Sequence, residues 1–86
     1  MNFSIVYDKQ SQEFLKKSDK HISKRIMDKI EGILIFNPTP SNSKAIVGEH
    51  GVFRLRIGNY RALYRINHEE NKITIIKLEK RSKVYD

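Results

Sequence analysis

The stretch Val52–Ile66, VFRLRIGNYRALYRI, decides how the rest of the chain is read. Phe53, Leu55 and Ile57 alternate with Arg54 and Arg56, and past Gly58-Asn59 the residues Tyr60, Ala62, Tyr64 and Ile66 alternate with Arg61, Leu63 and Arg65. Period two on both arms marks half-buried strands, and a two-residue connection containing glycine predicts a hairpin. With Gly58 and Asn59 alone as the loop, Ile57 pairs with Tyr60, Arg56 with Arg61, Leu55 with Ala62 and Arg54 with Leu63. One face of the ribbon is then apolar and belongs to the core. The other carries Arg54, Arg56, Arg61 and Arg65. Like charges directly opposed across a strand pair destabilise it, so Arg56 beside Arg61 calls for a carboxylate or a bound anion. The plainer alternative is a solvated face whose arginine stems cover apolar surface.

Eighty-six residues suffice for one domain with one small core. The formal net charge is +7, from 17 basic and 10 acidic side chains. That surplus favours a polyanionic or acidic partner by steering and says nothing about fold. With no cysteine there is neither a disulfide framework nor a thiolate metal site, and a reducing compartment is permitted. His21, His50 and His68 are dispersed without ligand spacing, so no metal is expected, and nothing calls for another cofactor. The first residues show no signal-peptide pattern and no stretch approaches a membrane span, so a cytoplasmic protein without membrane contact is expected.

Upstream of the hairpin, Phe3, Ile5 and Tyr7 alternate with Ser4 and Val6, which predicts a short strand ending near Asp8. Asp8 or Ser11 is positioned to cap a first helix running to about Lys17, with Phe14 and Leu15 as its apolar stripe. Ser18-Asp19 breaks it. Asp19 then opens a second helix, where Ile22, Ile26, Ile30, Ile33 and Leu34 recur at three- and four-residue spacing until Asn37-Pro38 stops it. The two helices form an αα-hairpin able to cover one side of a sheet. Pro38 to Gly51, with two prolines and two glycines, reads as a loop or partly ordered turn containing Lys44 and His50. His50 would reach an active site only if that loop folded over the arginines; otherwise it is a solvated histidine. Downstream, a polar turn over 67–71 leads to a strand from Lys72 to Leu78, apolar on both faces and therefore central. A five-residue turn sets Arg61 opposite Lys77 and Leu63 opposite Ile75. The same parity brings Glu79, Arg81, Lys83 and Tyr85 to the basic side, where Glu79 can pair with an arginine. The expected architecture is a single α/β domain of the α+β kind, with both helices on one side of a mainly antiparallel sheet.

Guanidinium groups converging from neighbouring strands bind phosphate oxygens in bidentate fashion and stay charged at any physiological pH. Because charge develops on those oxygens as a phosphodiester is cleaved, the same groups suit cleavage as well as binding of RNA.

The early strand, the two helices, GVFRLRIGNYRALYRI and the closing EKRSKVY together resemble the RelE/ParE superfamily of toxins, most closely its RelE branch. The resemblance covers nearly the whole chain. It implies the toxin of a toxin–antitoxin pair: a ribosome-dependent endoribonuclease that cuts messenger RNA in the decoding site and is neutralised by an acidic, RelB-like antitoxin. On its own the toxin is expected to be a monomer. The family's phosphate-contacting residues fall on Arg54, Arg56 and Arg61, and its C-terminal basic residue and tyrosine on Arg81 and Tyr85. Arg61, Arg81, Tyr85 and Arg56 are accordingly the expected catalytic residues, and Arg54, Arg65, Lys77, Lys80 and Lys83 the expected RNA contacts. Two departures stand out. Arginines replace the lysines of the first arm, and the ending is shorter, so that Lys80 or Arg81 takes the C-terminal basic position. The alternatives are the gyrase-inhibiting ParE branch, which shares the fold, and a non-catalytic RNA-binding module.

Overall fold

The two arms of the predicted hairpin are strands β3 (Val52–Ile57) and β4 (Tyr60–Asn67) of a computed structural model that describes residues 2–81. Their register is the one the two-residue loop dictates: Ile57 with Tyr60, Arg56 with Arg61, Leu55 with Ala62 and Arg54 with Leu63. Gly58 takes φ +56° while Asn59 keeps a negative φ, the glycine-first turn whose twist matches that of the flanking strands. Around this hairpin the order is β1 (Ser4–Tyr7), α1 (Lys9–Lys17), α2 (Lys20–Leu34), β2 (Ser43–Ala45), β3, β4 and β5 (Lys72–Lys80). The strands lie in the order β1-β5-β4-β3-β2, with β1 parallel to β5 and every other pair antiparallel.

Both helices pack on one face of the sheet. Ile26, Ile30 and Leu34 of α2 join Leu55, Ile57, Ala62, Tyr64, Ile66, Ile73, Ile75 and Leu78 in one buried cluster, with Phe14 and Leu15 of α1 at its margin. Burying a side chain of this size contributes about 1.5–3 kcal/mol, and here that gain falls on one layer between helices and sheet. Asp8 caps α1, its carboxylate accepting from the Ser11 amide at 3.4 Å. Asp19 holds the N-cap position of α2 without a side-chain capping bond. Tyr7 ties β1 to α2 by donating its hydroxyl to Glu31 at 2.8 Å; burial, and then that acceptor, push its pKa above the ordinary tyrosine range.

Strand β1 ends at Tyr7, opposite Ile75, and leaves the remainder of β5 without a strand on that side. The start of α1 takes its place. The Ile75 carbonyl accepts from the Asp8 amide at 3.1 Å and from the buried Ser11 hydroxyl at 2.8 Å. The Gln10 side chain imitates a peptide: its Oε1 accepts from Leu78 N at 3.1 Å and its Nε2 donates to Leu78 O at 3.4 Å. A strand edge is covered and its backbone groups are paired.

Two expectations are corrected. First, β2 is a three-residue strand inside the stretch read as a loop; it pairs Ser43 with Leu55, Lys44 with Arg54 and Ala45 with Phe53. Second, β5 is shifted. Arg61 faces Glu79 and Leu63 faces Lys77, because Asn67 already pairs with Lys72 and a bulge lies between the Tyr64–Ile75 and Leu63–Lys77 pairs. The tighter turn ends on Asn71 at φ +50°, in the left-handed region that asparagine tolerates. The shorter turn and the bulge each invert side-chain parity once, so Lys77 and Glu79 still share the face of Arg61. The bulge also explains how Ile73, Ile75 and Leu78 are all buried although their spacing breaks period two.

Candidate phosphate-binding site

On the sheet face away from the helices, two cross-strand rows meet. One runs Lys44, Arg54, Leu63, Lys77 and the other Arg56, Arg61, Glu79. Between them lies a cleft of about 50 Å³ lined by Asn42, Lys44, Arg54, Arg56, Arg61 and Arg81. It is small enough to suit a tetrahedral oxyanion rather than a whole nucleotide.

Each wall is fixed by contacts that follow from the fold. Arg61, which is part-buried, donates Nε to Glu79 Oε2 at 2.7 Å, and Lys77 Nζ sits 3.5 Å from Glu79 Oε1. That carboxylate is the compensating partner the opposed Arg56 and Arg61 called for, and it anchors the Arg61 guanidinium at the sheet surface. Arg81, just past β5, is clasped by the hairpin turn: its amide donates to Asn59 O and its Nη1 to Gly58 O, both at 2.7 Å. On the far wall the Arg56 amide donates to Asn42 O at 3.2 Å and the Asn42 side chain donates to Arg56 O at 3.1 Å. Ser43 turns back onto Pro40 O through its amide at 3.0 Å and its hydroxyl at 2.7 Å. Beneath, the fully buried Tyr64 donates its hydroxyl to Pro38 O at 2.7 Å and stacks on Phe53, pinning the loop that carries β2. Burial pushes the Tyr64 hydroxyl above its usual pKa.

Of the residues singled out from sequence, Arg54, Arg56, Arg61 and Arg81 come together in this cleft. Arg65 lies along the same face, opposite Val52 and Thr74, and Lys77 borders Glu79; neither lines the cleft. Lys80 pairs with Tyr60, whose neighbours on that face are core residues, so Arg81 and not Lys80 meets the arginines. Lys83 and Tyr85 lie outside the described residues. His50 is exposed and does not line the cleft. Asn42 and Lys44 were not singled out; the only signal for them was the alternation of Lys44 with Ser43 and Ala45, too short to stand out between prolines and glycines. Among the described residues no group of three His, Cys, Asp or Glu side chains is arranged to hold a metal ion, and no helix is long and apolar enough to cross a membrane.

The family model for the ParE toxin of the type II toxin–antitoxin system, parDE, matches residues 5–85. The chain belongs to this toxin family. Its fold is that of the wider RelE/ParE superfamily, and similar solved structures include the toxin chains of several RelE–RelB complexes. The RelBE2 toxin–antitoxin complex from Mycobacterium tuberculosis contains a chain 26% identical, with 94% of this chain and 93% of that one covered and a TM-score of 0.83. The archaeal RelE–RelB complex from Pyrococcus horikoshii gives 26% identity, 96% and 99% coverage and a TM-score of 0.80. The RelB–RelE complex from Methanococcus jannaschii gives 28% identity, 94% and 95% coverage and a TM-score of 0.67. No curated protein sequence matches the chain. Within the RelE/ParE fold of this toxin, the arginine cleft occupies the sheet face that the helices leave open.

Proposed function

We propose that this toxin is an endoribonuclease that cleaves messenger RNA in the decoding site of the ribosome, without a metal or nucleotide cofactor. The observation that carries this reading is the convergence of Arg54, Arg56, Arg61 and Arg81 on one phosphate-sized cleft. The RNA 2′-hydroxyl attacks the adjacent phosphorus, the 5′-oxygen leaves, and the products end in a 2′,3′-cyclic phosphate and a 5′-hydroxyl. Arg61, held in place by Glu79, stabilises the charge that grows on the non-bridging oxygens. Arg56 and Arg81 bind and orient the phosphate, Arg54 positions the strand, and Arg65, Lys77 and Lys83 meet flanking phosphates. Tyr85 stacks on a nucleotide at the scissile step. A surface this small does not by itself impose the in-line geometry, so the ribosome supplies it by holding the message.

The proposed partner is a cognate antitoxin, acidic and partly disordered, that folds onto the toxin with apolar anchors as well as charge. Similar toxins are seen in complexes with RelB, and a chain of net charge +7 suits an acidic partner. The description of the matching family model favours a second reading, inhibition of DNA gyrase in the manner of the ParE branch.

One paired assay separates the readings. Efficient cleavage of message on programmed ribosomes, poor cleavage of the same RNA free in solution, and cyclic-phosphate ends are expected. Intact ribosomal message together with blocked gyrase supercoiling would transfer the toxin to the second reading.

A further inference from the structure

We propose that Lys44 is the general acid that protonates the leaving 5′-oxygen. The assignment rests on the ribonuclease reading and adds to it the group that completes the reaction. Four of the cleft's lining side chains are arginines, which remain protonated throughout physiological pH, and a fifth is the amide of Asn42. Lys44 is the one lining side chain among the described residues that carries an ammonium group, a stronger acid than a guanidinium. A lysine ammonium is a stronger acid than the alcohol corresponding to the leaving alkoxide, so the transfer is downhill once the P–O bond is breaking.

Its place in the sheet fits that role. Lys44 stands on β2, paired opposite Arg54, at the outer margin of the cleft, while Arg61 and Arg81 belong to the β4–β5 side. In an in-line displacement the attacking and leaving oxygens lie on opposite sides of phosphorus. A phosphate seated over the Arg56–Arg61 pair can therefore present its leaving oxygen to the β2 margin. The Asn42 clasp on Arg56 and the Ser43 turn onto Pro40 hold that margin against the sheet. In the step, the O2′–P bond forms and the P–O5′ bond breaks with its electron pair on O5′. The ammonium proton passes to O5′, the 2′-hydroxyl proton passes to water, and the Lys44 amine regains its proton from solvent.

The test uses programmed ribosomes carrying messages that differ in one atom, an oxygen or a bridging sulfur at the 5′-position of the cleaved linkage. A thiolate leaves without protonation, so a missing general acid is bypassed. K44A and K44R should each cleave the oxygen message about 10²–10⁴-fold more slowly than the parent. Both should approach the parental rate on the sulfur message, whereas R61A should stay slow on both. Parental rates for K44A on the oxygen message, or an equal deficit on both messages, would overturn the assignment while leaving the ribonuclease reading intact. A parent that cleaves neither message overturns both.

Discussion

The two faces of the β3–β4 hairpin share one backbone and obey opposite demands. On the helix side, Leu55, Ala62 and Tyr64 are fully buried, and the Tyr64 hydroxyl donates to the Pro38 carbonyl. On the open side, Arg56 is set directly opposite Arg61, an arrangement that costs stability in the absence of a counter-ion. Glu79 offsets this for Arg61, and Lys44, Arg54, Arg56 and Arg81 line the same cleft. The core face is organised by burial, and the basic face gathers like charges around one cleft. Functional sites commonly hold such unfavourable groupings at the expense of stability.

If that contrast is right, truncation should act on the faces in opposite ways. Leu55→Ala removes a fully buried side chain and should destabilise the fold by about 2–5 kcal/mol, read from chemical denaturation. A loss below about 1 kcal/mol would mean that the hairpin is not the centre of the core. Tyr64→Phe keeps the ring and its stacking on Phe53 but leaves the Pro38 carbonyl unpaired, at an expected cost of about 1–2 kcal/mol. Because the same bond pins the loop bearing Asn42 and Lys44, Y64F should also slow cleavage although it never touches RNA. Unchanged cleavage by a measurably destabilised Y64F would uncouple the two faces.

The smallest stability effect is expected on the basic face. Arg56→Ala removes an exposed side chain and relieves the opposed pair, so stability should move by no more than about 0.5 kcal/mol, and upward if at all. Cleavage should nonetheless fall at least about tenfold if Arg56 binds the scissile phosphate. A loss of stability in R56A comparable to that of Leu55→Ala would contradict the division between the faces.

How much of this was legible in the sequence follows the range of the forces involved. A two-residue turn leaves one register for β3 and β4, so the Arg56–Arg61 and Leu55–Ala62 pairs could be read directly from spacing. The second helix was equally plain, because its isoleucines mark one face over fifteen residues. The register of β5 was not, since the bulge lies where Gln10 and Ser11 of α1 hold the Leu78 and Ile75 backbone, contacts more than sixty residues apart in sequence. β2 was invisible for a similar reason. Three residues carry too little pattern, and the strand is held by Arg54, Arg56 and, through Pro38, by Tyr64. The arginines of the cleft were therefore readable, whereas Lys44, which depends on β2 for its place, was not.

The central claim is that Arg61 stabilises the transition state of phosphodiester cleavage rather than merely attracting RNA. Single-turnover cleavage of message on programmed ribosomes by Arg61→Ala, measured beside its ribosome affinity and its thermal melting, tests this most directly. The predicted result is a folded protein that binds ribosomes within about threefold of the parent and cleaves about 10²–10³-fold more slowly. Parental cleavage, or a loss accounted for entirely by weaker binding, would contradict it.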